Sequence, residues 1–378
     1  MTRRGVLLTG ATGFVGMEVL ARYLERGDRR ITCLIRADDD QDARRRLDAV
    51  LHNLFGRGAA RYRRRVEAFA SDLTAPDLGL RAARRDELSE RVTTIIHCAA
   101  SVSFSLPLAQ AREINVEGTR RMLEFAGLTQ ERGGGLSRYS HVSTAYVAGT
   151  HDGHFAETDL DVGQEFRNSY EQSKFEAEQL VRAAPELPWT ILRPSIVVGD
   201  RRSGWTSAFN VLYWPLRAFS CGLFKTVPAI LSSPVDVVSV DYVADAIHEL
   251  SERPGSAGQT FHLTAGADAS TMEEIAALAS RYFRRPIPQV VPPAEFAAME
   301  ANWSEAALES SRVYFPYFSI RTVFDATATR ARLLPAGIQT SPLGDYLDRL
   351  LDFATRSRWG KLPIARFDAL VPAPAPAP

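Results

Sequence analysis

The sequence predicts an α/β fold, a doubly wound parallel sheet with a smaller, mostly helical C-terminal region. Three observations predict it. Short β-rich runs alternate with longer amphipathic stretches through the first half of the chain, which is the rhythm of strand–helix–strand units. A glycine-rich turn, Thr9-Gly10-Ala11-Thr12-Gly13-Phe14-Val15-Gly16, follows the first run and opens the first amphipathic stretch. After about residue 200 the alternation gives way to segments punctuated by Pro215, Pro228, Pro234, Pro286, Pro288, Pro292 and Pro293.

Strands are expected at Val6 to Thr9, Ile31 to Ile35, Val66 to Ala70, Thr94 to His97, Tyr139 to Ser143 and Thr190 to Leu192, because each is a short β-branched or apolar run. Helices are expected between them at Phe14 to Glu25, Asp42 to Phe55, Leu108 to Leu128 and Asn168 to Ala183. Gly133-Gly134-Gly135 marks a loop before the fifth strand. The expected organisation is a nucleotide-binding unit over 1–200, with 235–265 returning to its sheet. A second region covers 201–234 and 266–369, and 370–378 is an extended, disordered Ala/Pro tail.

A length of 378 residues exceeds one ordinary core, and 45% hydrophobic with 24% charged residues is globular composition. The formal net charge of zero gives no electrostatic argument for a nucleic-acid partner, and Arg44-Arg45-Arg46 and Arg63-Arg64-Arg65 read as solvated helix faces. Cys33, Cys98 and Cys221 have no metal-like spacing, which points to a reducing compartment, the cytoplasm. No signal peptide is expected ahead of the first strand. The most lipid-like window, Ala208 to Ile230, is broken by Pro215, Arg217 and Lys225, so it reads as a lid or membrane-grazing element rather than a span.

The glycine turn is the context in which backbone amides at a helix N-terminus hold a pyrophosphate, making this a Rossmann-type dinucleotide site. The second strand ends in Ile35-Arg36, where an acidic residue would meet the adenine ribose of NAD. A guanidinium there suits the extra phosphate of NADPH instead. Asp72-Leu73 closes the third strand beside the expected adenine, and His97-Cys98-Ala99-Ala100 closes the fourth with small residues where a cofactor passes the backbone. His97 is expected to hydrogen-bond in the core. His151 and His154 are read as loop residues, with no metal implied.

Three of the 45 basic residues are lysines, and one of them, Lys174, lies one helical turn after Tyr170. With Thr144 after the fifth strand, the set suits carbonyl reduction. Tyr170 would give a proton to the oxyanion, Thr144 would orient the same oxygen, and Lys174 would bind the ribose and lower the phenol pKa. Ser143 and Tyr146 are the runner-up hydroxyl and phenol.

These residues together resemble the extended short-chain dehydrogenase/reductases. Cys33-Leu-Ile-Arg36, His97-Cys-Ala-Ala-Ser-Val-Ser-Phe104, Asn115-Val-Glu-Gly-Thr119, Ser143-Thr-Ala-Tyr-Val147, Leu192-Arg-Pro-Ser-Ile-Val-Val-Gly-Asp200 and Pro234 to Asp245 are similar to the thioester reductase and fatty acyl-CoA reductase branch, the male-sterility-like proteins. The resemblance covers about residues 5 to 265. It implies NADPH-dependent reduction of an acyl thioester, on coenzyme A or an acyl-carrier protein, to the aldehyde and onward to the alcohol. It implies a Thr144, Tyr170 and Lys174 triad, and a cofactor held by Gly10, Gly13, Gly16, Arg36, Asp72 and Lys174, with Pro194 and Ser195 lining the nicotinamide pocket. The chain carries no adenylation or carrier segment, so the thioester is expected in trans. Phe209 to Phe219 is read as an acyl-chain lid or a buried helix, and Tyr314 to Phe318 as pocket lining or domain packing. The alternatives are an NADP-dependent ketone or alcohol dehydrogenase, a nucleotide-sugar-modifying enzyme, and an NADP-binding sensor without turnover.

Overall fold

The computed structural model describes residues 5–132, 135–209, 211–223, 226–299 and 313–370. The Ala/Pro tail from residue 371, and parts of the glycine loop and of the 209–230 stretch, lie outside these residues.

A seven-stranded sheet organises the chain. Its strands are β1 (Gly5–Thr9), β2 (Ile31–Ile35), β3 (Val66–Ala70), β4 (Val92–His97), β5 (Arg138–Val142), β6 (Trp189–Pro194) and β7 (Gln259–Leu263). Their order across the sheet is β3-β2-β1-β4-β5-β6-β7, with every neighbouring pair parallel. The order reverses between β1 and β4, and the carboxyl ends on either side of that point open the crevice where such sheets bind ligands.

Both faces are covered, as a parallel sheet requires. Along β1, Val6 and Leu8 pack on one side with α1 (Phe14–Arg26), α2 (Asp40–Phe55) and the later helix Val240–Glu252. Leu7 points the other way, to α3 (Ala82–Arg91), α4 (Gly118–Arg132) and α5 (Ser169–Arg182). Each fully buried leucine contributes about 2 kcal/mol through the apolar area it removes from water. Helix α3 has no counterpart in the apolar pattern, because only Leu88 and Ser89 of its ten residues are buried.

A third cluster joins Tyr146 and Phe155 to α6 (Tyr213–Ser220), Tyr317 and the C-terminal helix Leu347–Arg356, forming the smaller region's core. The segment 235–265 does not return to the main sheet as one piece. Gln259–Leu263 pairs with β6, whereas Val237–Ser239 pairs in parallel with Ile196–Val198 as a separate two-stranded unit. The buried carboxylate of Asp236 explains the split. It accepts from the Ser195 hydroxyl at 2.5 Å and from the amides of Ala265 and Gly266 at 2.8 and 2.7 Å, pinning the chain where it leaves the sheet.

Candidate active site and cofactor cradle

The glycine turn is shaped by close approach. Gly10 has φ +77°, and a Cβ there would sit 2.7 Å from the Ala99 nitrogen, so the end of β4 excludes any side chain. A Cβ on Gly16 would lie 2.1 Å from the Gly10 carbonyl oxygen, which places its constraint within the turn rather than between helix and strand. Gly13 is different, since its nearest neighbour would be 3.3 Å away. It is the N-cap of α1 and supplies no side-chain cap, so the first amides of that helix are left for an anion. Thr12, Phe14 and Val15 form the half-buried rim of the same turn.

Arg36 is exposed at the end of β2. Two of the three carboxylates behind it are committed elsewhere: Asp39 caps α2 by accepting from the Asp42 amide at 2.7 Å, and Asp40 accepts from the Ala70 amide at 3.0 Å, while Asp38 is exposed. Arg46 donates to the Arg36 carbonyl, bringing a second guanidinium to this edge. The expectation of solvated arginine triplets holds for Arg44, Arg45, Arg46, Arg63 and Arg64, which are exposed, while Arg65 is half-buried and 63–65 form a turn rather than a helix face. Arg46 reaches back to β2, and Arg65 donates to the carbonyls of Leu24, Tyr23 and Arg29. One Asp72 oxygen accepts from the Thr74 amide and hydroxyl, both at 2.8 Å. Those bonds, reinforced by Arg36 and Arg121, hold its carboxyl below the usual range. Leu73 packs against Gly118, and its carbonyl accepts from Arg121. The Ala99 amide is bonded to the Thr9 hydroxyl at 3.1 Å, and Ala100 is half-buried beside it.

Thr144, Tyr170 and Lys174 are brought together at the carboxyl ends of β5 and β6. The Thr144 hydroxyl accepts from the Tyr146 amide at 3.2 Å and reaches the Pro194 carbonyl at 3.4 Å. It also lies close enough to the Tyr170 phenol to lower that group's proton affinity. Burial pushes that phenol up to about 12, against the opposing pull of the Thr144 bond. This corrects the expectation of a phenol lowered by lysine. The Lys174 ammonium is turned to the end of β5, donating to the Val142 carbonyl at 2.8 Å and lying 3.3 Å from the His141 Nε2. Burial brings Lys174 down to about 8, with Glu178 acting in the opposite sense. The Ser195 hydroxyl is likewise turned away, to Asp236, leaving Pro194 as the β6 residue in contact with Thr144.

Several contributors lie outside the expected set. Asn115 sits in a π-helical turn, Glu113–Glu117, a distortion common at functional sites. It accepts from the Ser101 amide at 2.8 Å and donates to the Ser173 hydroxyl at 2.9 Å, tying the loop after β4 to α5. Glu178, one turn beyond Lys174, is fully buried and accepts from the Ser143 hydroxyl at 2.9 Å and from Arg193 Nη2 at 2.5 Å. Removing one partner of such a buried pair costs about 3–5 kcal/mol. Ser143, the runner-up hydroxyl, is thereby held for structure. Tyr146, the runner-up phenol, packs edge-on against Tyr317 and Phe324. His97 is buried and bonds Thr9 at 2.8 Å and Thr119 at 3.3 Å, and His151 bonds the His154 carbonyl at 3.0 Å. Among the described residues no cluster of His, Cys, Asp and Glu could hold a metal ion.

A line of rings runs outward from the phenol. Phe104 lies 5.8 Å from Tyr170 and 6.4 Å from Tyr314, whose ring stacks on Trp214 at 5.7 Å. Tyr314 and Trp214 belong to the two segments read from sequence as lid or lining. Phe209 packs instead against Tyr213 and Phe353.

Residues 8–247 match the family described as Male sterility protein. The chain belongs to that family. This Male sterility family member is 34% identical over 265 residues to the isonitrile lipopeptide synthase of Streptomyces coeruleorubidus, covering 68% of this chain and 17% of that protein. It spans about a quarter or less of the first curated relatives it matches. Among solved structures, the terminal R domain of the myxalamid PKS-NRPS biosynthetic pathway superposes with TM-score 0.83 at 28% identity, over 96% of this chain and 93% of that one. A reductase (R) domain of a non-ribosomal peptide synthetase from Mycobacterium tuberculosis gives TM-score 0.70 at 25% identity, over 95% and 92%. The family, the parallel sheet and the glycine turn establish an NAD(P)-binding fold. Among the described residues no helix is long and apolar enough to cross a membrane.

Proposed function

We propose that this protein reduces an acyl thioester to the aldehyde with NADPH, and can carry the aldehyde on to the alcohol in a second round. The observation that carries the reading is that Tyr170, the Thr144 hydroxyl and the buried Lys174 ammonium gather at the carboxyl ends of β5 and β6, with Thr144 near enough to the phenol to lower its proton affinity. A phenol held at about 12 stays protonated at neutral pH, which is the state required of a donor to a developing oxyanion. As a donor the Thr144 hydroxyl is held by a long bond to the Pro194 carbonyl, at 3.4 Å, so it can turn to give the same oxygen a second donor. The bound dihydronicotinamide would supply the hydride. Departure of the thiol from the reduced carbon then leaves the aldehyde.

The cradle of Gly10, Thr12, Gly13, Phe14, Val15 and Gly16 with the uncapped α1 would hold the pyrophosphate. Arg36, assisted by Arg46, would meet the ribose phosphate that distinguishes NADPH, because Asp39 and Asp40 are committed to structural bonds. Asp72 and Leu73 would flank the adenine, Ala99, Ala100 and Pro194 the nicotinamide side, and Lys174 the ribose. The donor would be acyl-coenzyme A or an acyl-carrier protein, a reading supported by the likeness to the peptide synthetase reductase domain. The free thiols Cys33, Cys98 and Cys221 fit a cytoplasmic setting. NADPH oxidation with acyl-CoAs, carrier-bound thioesters, aldehydes and ketones tests the reading. Thioesters and aldehydes should be reduced, and activity confined to ketones would refute it.

A further inference from the structure

The last described segment leaves the smaller region and packs on the nucleotide-binding half. Ile364 and Ala369 join the core that holds α1 and α2, and the Ile364 carbonyl accepts from Trp205 Nε1 at 3.1 Å. A short helix, Arg366–Ala369, follows. Its Arg366 amide donates to the Asn53 side chain of α2 at 2.8 Å, and the Phe367 ring lies edge-on to His52 at 5.7 Å. A Cβ on Gly56, the C-cap of α2, would come within 2.7 Å of that ring, so the end of α2 is shaped to seat it.

The seat brings one guanidinium to α1. Arg366 is buried, and its Nε lies 2.5 Å from an oxygen of Glu18, a contact of charge rather than an aligned hydrogen bond. Glu18 is 1% exposed and lies a turn and a half past Gly13, the N-cap of α1. Helical side chains lean toward the N-terminus, so its carboxylate leans toward the end of α1 whose first amides are left for an anion.

Charge is balanced there with Arg366 in place. Glu18 also meets Arg22, which is shared with Asp245 at 2.7 Å, and Asp245 in turn meets Arg26 at 2.6 Å. Arg366 reaches Glu25 at 3.4 Å. The carboxylates of Glu18, Glu25 and Asp245 thus face the guanidiniums of Arg22, Arg26 and Arg366, and Asp200 adds negative field at Glu18. Burial pushes the Glu18 carboxyl up, and Arg366 and Arg22 oppose it. A buried carboxylate left short of one cation, this near a helix N-terminus, would take up the positive end of the dipole itself and repel a phosphate.

We propose that Arg366 is a positioning residue for the dinucleotide: the C-terminal segment carries its charge to Glu18, which leaves the N-terminus of α1 free to hold the pyrophosphate. The proposal rests on the cradle reading above, and the pyrophosphate is common to NADPH and NADH.

The test is fluorescence titration of the wild type, Arg366→Gln, Glu18→Gln and the double variant with NADPH and with NADH at pH 8. Arg366→Gln should weaken both dinucleotides about tenfold, the effect of one uncompensated charge on a phosphate in a partly screened site. Adding Glu18→Gln to Arg366→Gln should restore most of that affinity, although the guanidinium is still missing. A merely structural role predicts no such recovery, because the double variant loses both sides of the contact. Should Arg366→Gln prove too unstable to titrate, Glu18→Gln alone decides: binding at least as tight as in the wild type supports the proposal, and weaker binding overturns it. Unchanged affinity in Arg366→Gln, or a loss that Glu18→Gln does not relieve, also overturns it. Weakening of NADPH alone would assign the effect to the ribose phosphate, with the same consequence. If the wild type binds neither dinucleotide, the cradle reading falls and the proposal with it, whereas tight wild-type binding with unaltered variants sinks the proposal alone.

Discussion

Replacing Lys174 by methionine should change how stability depends on pH. Lys174 is 2% exposed, and burial brings its ammonium down to about 8 in the folded protein, against 10.5 for an ordinary lysine. Burial is the cause, because the ammonium loses more hydration than the Val142 carbonyl and His141 return. Below about pH 8 both folded and unfolded chains hold this proton, and the cost of burying the charge is fully present. Between about 8 and 10.5 the unfolded chain holds more protons than the folded one, so stability contributed by this group rises with pH. The change across that window is about 3 kcal/mol. Methionine fills similar volume and has no proton to lose. The wild-type stability, measured relative to Lys174→Met, should therefore rise by about 3 kcal/mol from pH 7.5 to pH 10.5, other titrations cancelling in the difference. With an unfolding entropy of about 2 cal/mol/K per residue, that corresponds to about 4 °C in Tm. Urea and thermal unfolding of both proteins without cofactor, at the two pH values, measure it. Parallel curves would show that the buried ammonium costs nothing and would remove the reason for reading Lys174 as a charge held ready behind the phenol.

Two substitutions address the roles of other residues. Tyr170→Phe removes the donor but keeps the ring against Phe104, so turnover should fall at least about a hundredfold with NADPH binding nearly intact in a fluorescence titration; unchanged turnover would place the proton donor elsewhere. Arg36→Ala should weaken NADPH about tenfold while leaving NADH nearly unaffected, measured as dissociation constants, and equal losses would refute the ribose-phosphate contact.

The alternating half of the chain was legible because its strands are short β-branched runs and its glycine turn is local. Gly10 and Gly16 work through neighbours within a few residues or across one strand, and a spacing rule captures that. Helix α3 was not legible, since a helix with two buried residues leaves almost no apolar period. Asn115, Arg46 and the Glu178–Arg193 pair act through partners that the fold, not the sequence, brings together. Arg46 looks like one of three surface arginines until α2 carries it back to the end of β2. Lys174 stood out by composition, yet its orientation could not be read, because the Val142 carbonyl that holds it is a backbone group. The line from Tyr170 to Trp214 crosses from the sheet to the smaller region, where the proline-broken pattern gives no register.

Transfer of deuterium from [4-²H]NADPH to an acyl thioester tests hydride delivery at Tyr170 most directly. With the matching nicotinamide stereoisomer, mass spectrometry should find one deuterium on the aldehyde carbon, with one free thiol released for each NADPH oxidised. An aldehyde without deuterium, or thiol release without NADPH oxidation, would contradict reduction by this site.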